Sequence, residues 1–75
     1  MAFHPMKPET IARRAAERKI ERIEAARYGI ASAKRQMKRY AADMGYTAEE
    51  RADWVEFWRE SAERNAAELR ELLGE

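Results

Sequence analysis

The stretch 43-DMGYTAEE-50, from Asp43 to Glu50, divides the chain into two helical arms. Gly45 suits the left-handed conformation that ends many helices. Thr47 suits the N-cap of a following helix, and Glu50 lies three residues on, which completes a capping box. Arg51 occupies the position where an apolar residue would meet Tyr46, so the usual apolar staple is missing. The short interval between Gly45 and Ala48 leaves room only for a tight reversal. The sequence therefore predicts an antiparallel helical hairpin with its turn at 45–47.

Upstream of the turn, a helical pattern runs from about residue 8 to residue 44. Pro8 fits the first helical turn, where its missing N–H costs nothing, and Glu9 suits the positive end of the helix. Ala12, Ala16, Ile23, Ala26, Ile30, Ala33, Met37, Tyr40, Ala41 and Met44 fall on one stripe. Ile23, Ile30, Met37 and Met44 recur at heptad spacing, with Ala26, Ala33 and Tyr40 three positions later. That is a coiled-coil-like seam whose second column is mostly small.

Downstream, a second helix is predicted from about residue 48 to residue 73. Val55, Trp58, Ala62, Asn65, Ala66, Leu69, Leu72 and Leu73 form its stripe. Asn65 on that stripe has two readings: a buried register-fixing amide, or a marginal residue reaching water. The first helix is the longer, so its opening turns, Pro8 to about Ala16, overhang without an intramolecular neighbour. Ile11 and Ile20 have no facing helix in a simple hairpin.

Gly29 stands in 26-ARYGIASAK-34, a run of small residues inside the first helix. The column Ile23–Ile30–Met37 passes through it without a phase change, so it reads as a close-packing site and not as a break. Counting outward from the turn pairs levels whose numbers sum to about 91. Ala33 then lies level with Trp58, and Gly29 and Ala33 are expected to make room for its indole. The predicted hairpin core sets Ile23, Ala26, Gly29, Ile30, Ala33, Met37 and Met44 against Val55, Trp58, Ala62 and Leu69.

The expected architecture is all-α: a tail at 1–7 and one hairpin domain at 8–75. With 75 residues and no cysteine, the chain has little core and no disulfide to staple it. Association is the remaining route, and a four-helix bundle formed by two copies is expected. No apolar run reaches the roughly 20 residues of a membrane span, and residues 1–10 lack a signal peptide's apolar centre. These features suggest a cytoplasmic protein that does not enter membranes.

Charge is uneven although the net is only +1. Residues 1–44 carry 11 basic and 5 acidic groups, whereas residues 45–75 carry 4 basic and 9 acidic. Arg14, Arg35, Lys38 and Arg39 are candidate nucleic-acid contacts on helix 1, but Glu17 and Glu21 dilute the face that Arg14 joins. The simpler reading is that a basic helix complements an acidic one.

No nucleophilic thiol, phosphate loop or shared carboxylate pocket is evident, and no catalysis, cofactor or metal is expected. The single His4 would complete a square-planar Cu(II) or Ni(II) chelate only on a terminus beginning at Ala2. A plain tail histidine is the simpler account.

The most specific feature is 54-WVEFW-58. Val55 and Trp58 point into the seam, whereas Trp54, Phe57 and Ser61 are expected to form a second patch facing away from the hairpin, with Tyr28 outward on helix 1. Grouped aromatics on a small protein are a contact surface, either for a second copy or for a foreign target. The leading expectation is a non-catalytic interaction module. Small regulators, inhibitors and assembly factors of phage or bacterial type have this size. A nucleic-acid binder using helix 1, or a structural subunit of a larger assembly, are the alternatives.

Overall fold

The computed structural model describes residues 7–74, and the chain folds as an all-α hairpin of two packed helices. Helix α1 runs Pro8–Ala42 and helix α2 runs Ala48–Leu73. Phe3, His4 and Met6 of the expected tail lie outside the described residues. The helices form for the reasons the sequence gives. Alanine and long straight-chain residues dominate both, and proline enters α1 only at its first position.

The turn differs from expectation. Helix α1 stops two residues early, at Ala42, and Asp43 takes an extended conformation with φ −79° and ψ 104°. Gly45 does not adopt a left-handed φ; among the described residues only Gly74 does, at φ 74°. The Asp43 side chain explains the difference. Its Oδ1 accepts from the Gly45 amide at 2.9 Å, a side-chain turn that replaces the expected glycine cap. Because α1 ends before residue 44, the heptad column does not reach Met44, which is 82% exposed and not part of the core.

The start of α2 follows the capping box. The Glu50 amide donates to Thr47 Oγ1 at 3.1 Å, and the Thr47 amide donates to Glu50 Oε1 at 2.9 Å. The backbone bond from Thr47, and then the side-chain bond, hold the Glu50 carboxyl below the usual carboxylate range. A carboxyl depressed in the fold contributes stability above its unfolded pKa and loses it as pH falls through the folded value. Thr47→Ala should cost about 1 kcal/mol in urea unfolding. It should also move the NMR titration midpoint of Glu50 part of the way upward, since the backbone bond survives in the variant, and an unchanged unfolding midpoint would refute the capping assignment. The missing apolar staple is replaced by a polar one, in which the Arg51 guanidinium donates to the Tyr46 carbonyl at 2.6 Å.

The core is small. Among the described residues only Ala26, Ala33 and Ala62 are buried, and no large side chain is fully enclosed. Ile23, Gly29, Ile30, Met37, Val55, Trp58 and Leu69 are half-buried along the seam. The molecule measures 63 × 33 × 13 Å along its Cα axes, a slab one helix thick. Two broad faces of that slab meet solvent.

Helix α1 has 35 residues and α2 has 26, so α1 projects about 13 Å beyond the end of its partner. Every residue from Ile11 to Arg22 is exposed. One ion pair, Arg22 to Glu68 at 3.4 Å, joins the helices near the open end. Its exposure to water makes it a minor contributor.

Candidate interaction surface

Gly29 does not receive Trp58. A Cβ built at Gly29 would lie 2.7 Å from Cγ and Oδ1 of Asn65 and 2.8 Å from its Nδ2. Asn65 is therefore the residue that uses the gap. Its Nδ2 donates to the Ser61 carbonyl at 2.9 Å, one turn back along α2. The half-buried amide is thus satisfied within its own helix, and the small residue opposite admits it. Trp58 remains in the seam with a different problem: its Nε1 is buried and has no hydrogen-bond partner among the described residues.

The aromatic side chains form a continuous array at the turn end. Tyr40 of α1 stacks on Trp54 of α2, with ring centroids 5.0 Å apart and planes 15° from parallel. Tyr46 leans on Tyr40 at 5.8 Å, closing the array at the turn. Phe57 meets Trp54 edge-on at 5.8 Å and Trp58 edge-on at 5.2 Å. The Arg39 guanidinium lies 5.6 Å from the Tyr40 ring centroid. Offset-stacked and edge-to-face pairs of this kind add specific attraction beyond area burial.

This geometry corrects the expected patch. Trp54 does not face away from the hairpin, because Tyr40 covers one side of its indole and draws it across the seam. The array therefore straddles both helices on one broad face. Trp54 stays 37% exposed and Phe57 50% exposed, so the outer surface of the array is open. Ser61 is half-buried and has no place in the ring contacts; its carbonyl serves Asn65. Tyr28 stands apart on α1, 69% exposed, with the Arg35 guanidinium 5.9 Å from its ring centroid.

Tyr40 and Tyr46 are the members that sequence reasoning missed. The heptad places Tyr40 in the seam column, and Tyr46 belongs to the turn. The available signal was the Tyr40 position at the end of α1, level with the opening turns of α2 across a tight reversal.

The opposite broad face carries a shallow cleft of about 360 Å³, lined by Ala41, Arg51, Ala52, Val55, Glu56 and Arg59. It is open, and Glu56 and Arg59 pair with each other there. The four basic candidates on α1, Arg14, Arg35, Lys38 and Arg39, are all exposed. Arg35 and Arg39 are those set beside tyrosines. Among the described residues, no group of histidine, cysteine and carboxylate side chains is arranged to hold a metal ion. Among the described residues, no helix is long and apolar enough to cross a membrane.

The fold and surface define an α-helical hairpin with an open aromatic face. No protein-family model, curated protein or solved structure matches the chain.

Proposed function

We propose that this chain is a non-catalytic, cytoplasmic protein–protein interaction module that self-associates and acts by occupying a surface on another protein. The observation that carries the reading is the exposed outer side of the aromatic array, Trp54 and Phe57, on a hairpin whose buried residues, among those described, are all alanine. Large aromatic side chains are frequent binding anchors. A chain with so little core has more to gain from a partner than from its own fold. A small regulator, inhibitor or assembly factor, of phage or bacterial kind, is the role that suits such a surface.

A second reading places nucleic acid on α1, where Arg35 lies beside Tyr28 and Arg39 beside Tyr40. A cation next to an aromatic ring, such as Arg35 beside the exposed Tyr28, offers phosphate and base-stacking contacts together. Lys38 and Arg14 would add charge to that surface.

One comparison tests both. Affinity capture from the native host with wild-type chain and with Phe57→Ala, at matched helicity, should show proteins retained by the first and lost by the second. Identical captures would overturn the aromatic-face reading. Retained material that disappears on nuclease treatment, and on substituting Arg35 and Arg39, would favour the second reading.

A further inference from the structure

Two features of the hairpin lack a counterpart within the chain. One is the open aromatic array at the turn end. The other is the α1 extension at the far end, whose Ile11 is 47% exposed. We infer that a second copy of this chain covers both at once, docked antiparallel with full overlap, so that each copy's α1 extension lies against Trp54 and Phe57 of the other. The inference rests on the aromatic face being a contact surface, and it names the occupant and its orientation.

Length supports the match. Full antiparallel overlap of two α1 helices, Pro8–Ala42, sets residue n level with residue 50 − n of the second copy. Tyr40, with Trp54 stacked on it, then falls level with Thr10 and Ile11 of the second copy. Phe57 lies one turn further in, level with the stretch just beyond Ile11 in that copy.

The faces agree as well. Ile11 lies 11 residues before Arg22 and 18 before Gly29, and Tyr40 lies 11 after Gly29. Eleven residues are close to three helical turns and 18 are five. These four residues therefore keep one side of α1. Arg22 meets Glu68 there, Gly29 admits Asn65, and Tyr40 stacks on Trp54. Ile11 emerges on that side, in line with the aromatic array.

The length difference between the helices explains why the rings are large. At the level of the extension, α2 of the second copy has already ended, so a four-helix bundle would hold only three helices. Trp54 and Phe57 fill the vacant corner. Both ends of the assembly are filled in the same way, as a two-fold axis requires.

Charge and area point the same way. The extension from Pro8 to Lys19 has four basic residues and two acidic, while α2 from Ala48 to Glu60 has five acidic and two basic. Antiparallel docking brings these opposite signs together, and parallel docking would bring like to like. The chain exposes 6300 Å², whereas a folded monomer of 8.8 kDa exposes about 4,800 Å². The excess exceeds the roughly 800 Å² per partner buried by a standard interface. A single layer of helices also lacks the second layer that a packed domain needs.

The absence of cysteine makes cross-linking a clean test. Ile11 and Phe57 stand about 35 Å apart along one hairpin, far beyond the roughly 7 Å Cα separation a disulfide permits. Any bond between those positions therefore joins two chains. Mixing Ile11→Cys chains with Phe57→Cys chains under mild oxidation should give an 11–57 disulfide dimer in preference to either homodimer. Sedimentation of the wild type should report twice 8.8 kDa, and Ile11→Asp should weaken that dimer at least tenfold with helicity retained.

A predominant 57–57 disulfide would overturn the antiparallel arrangement. A dimer whose dissociation ignores Ile11→Asp, or which forms no 11–57 bond, would also overturn it. A monomer that still loses a foreign protein on Phe57→Ala would overturn the second-copy occupant while leaving the surface a contact site. A monomer with identical captures would remove both.

Discussion

Gly29→Leu is expected to lower the stability of the hairpin by about 3 kcal/mol, the upper part of the range for overpacked interiors. The first added carbon is already in conflict, 2.7 Å from two atoms of Asn65. Asn65 is short, and its amide is tied to the Ser61 carbonyl, so it cannot withdraw without breaking that bond. The rest of the leucine side chain then has to separate the helices beside Ala26 and Ala33, which are buried. Urea unfolding followed by circular dichroism at matched protein concentration measures the loss. The pair Gly29→Ala with Asn65→Ala gives the specific control. It removes the opposing side chain and replaces glycine by a better helix former, worth about 1 kcal/mol. The double variant should therefore recover most or all of what Gly29→Ala loses alone. Additive losses would show that Asn65 is not what position 29 accommodates.

Trp58→Ala should cost about 2 to 3 kcal/mol, less than a fully enclosed tryptophan because the residue is half-buried. With only alanines buried, partly covered large side chains supply most of the seam's apolar contact, and the Trp58 indole is the bulkiest among them. Its loss would also remove the edge against Phe57. Trp58→Phe separates shape from polarity. It keeps an aromatic ring and deletes the unpartnered N–H, whose burial costs about 1 to 3 kcal/mol. That relief offsets part of the lost volume, so Trp58→Phe should fall within about 1 kcal/mol of wild type. Equal losses for the two substitutions would mean that the indole nitrogen finds a partner in solution.

Helix α2 and the reversal before it were legible from local chemistry. Thr47 and Glu50 sit at the spacing their two reciprocal bonds require, and those bonds form. The period of Ile23, Ile30 and Met37 likewise identified the inner side of α1. What counting positions missed was the direction of side chains. Helical side chains lean toward their own N-terminus, so a spot on one helix is covered by a residue lying further along the other. By level alone Gly29 faces Ala62, yet Asn65 reaches back to it. The same offset brings Trp54, not Arg51, onto Tyr40. Trp54 lies only about 40° from Trp58 around α2, so its indole reaches Tyr40 across the seam instead of facing outward. The end of α1 was illegible for another reason. Gly45 advertised a glycine cap, but the Asp43 carboxylate captured the Gly45 amide first.

The alanine seam has a thermal consequence. Little apolar area leaves water when α1 meets α2, and the heat-capacity change of unfolding scales with that area. A small change flattens the curve of free energy against temperature, so warming alters the folded population gradually. A chain that completes its apolar contacts by pairing answers more sharply to its own abundance, because mass action enters the equilibrium directly. In the paired arrangement inferred above, dilution would favour separation as well as heat.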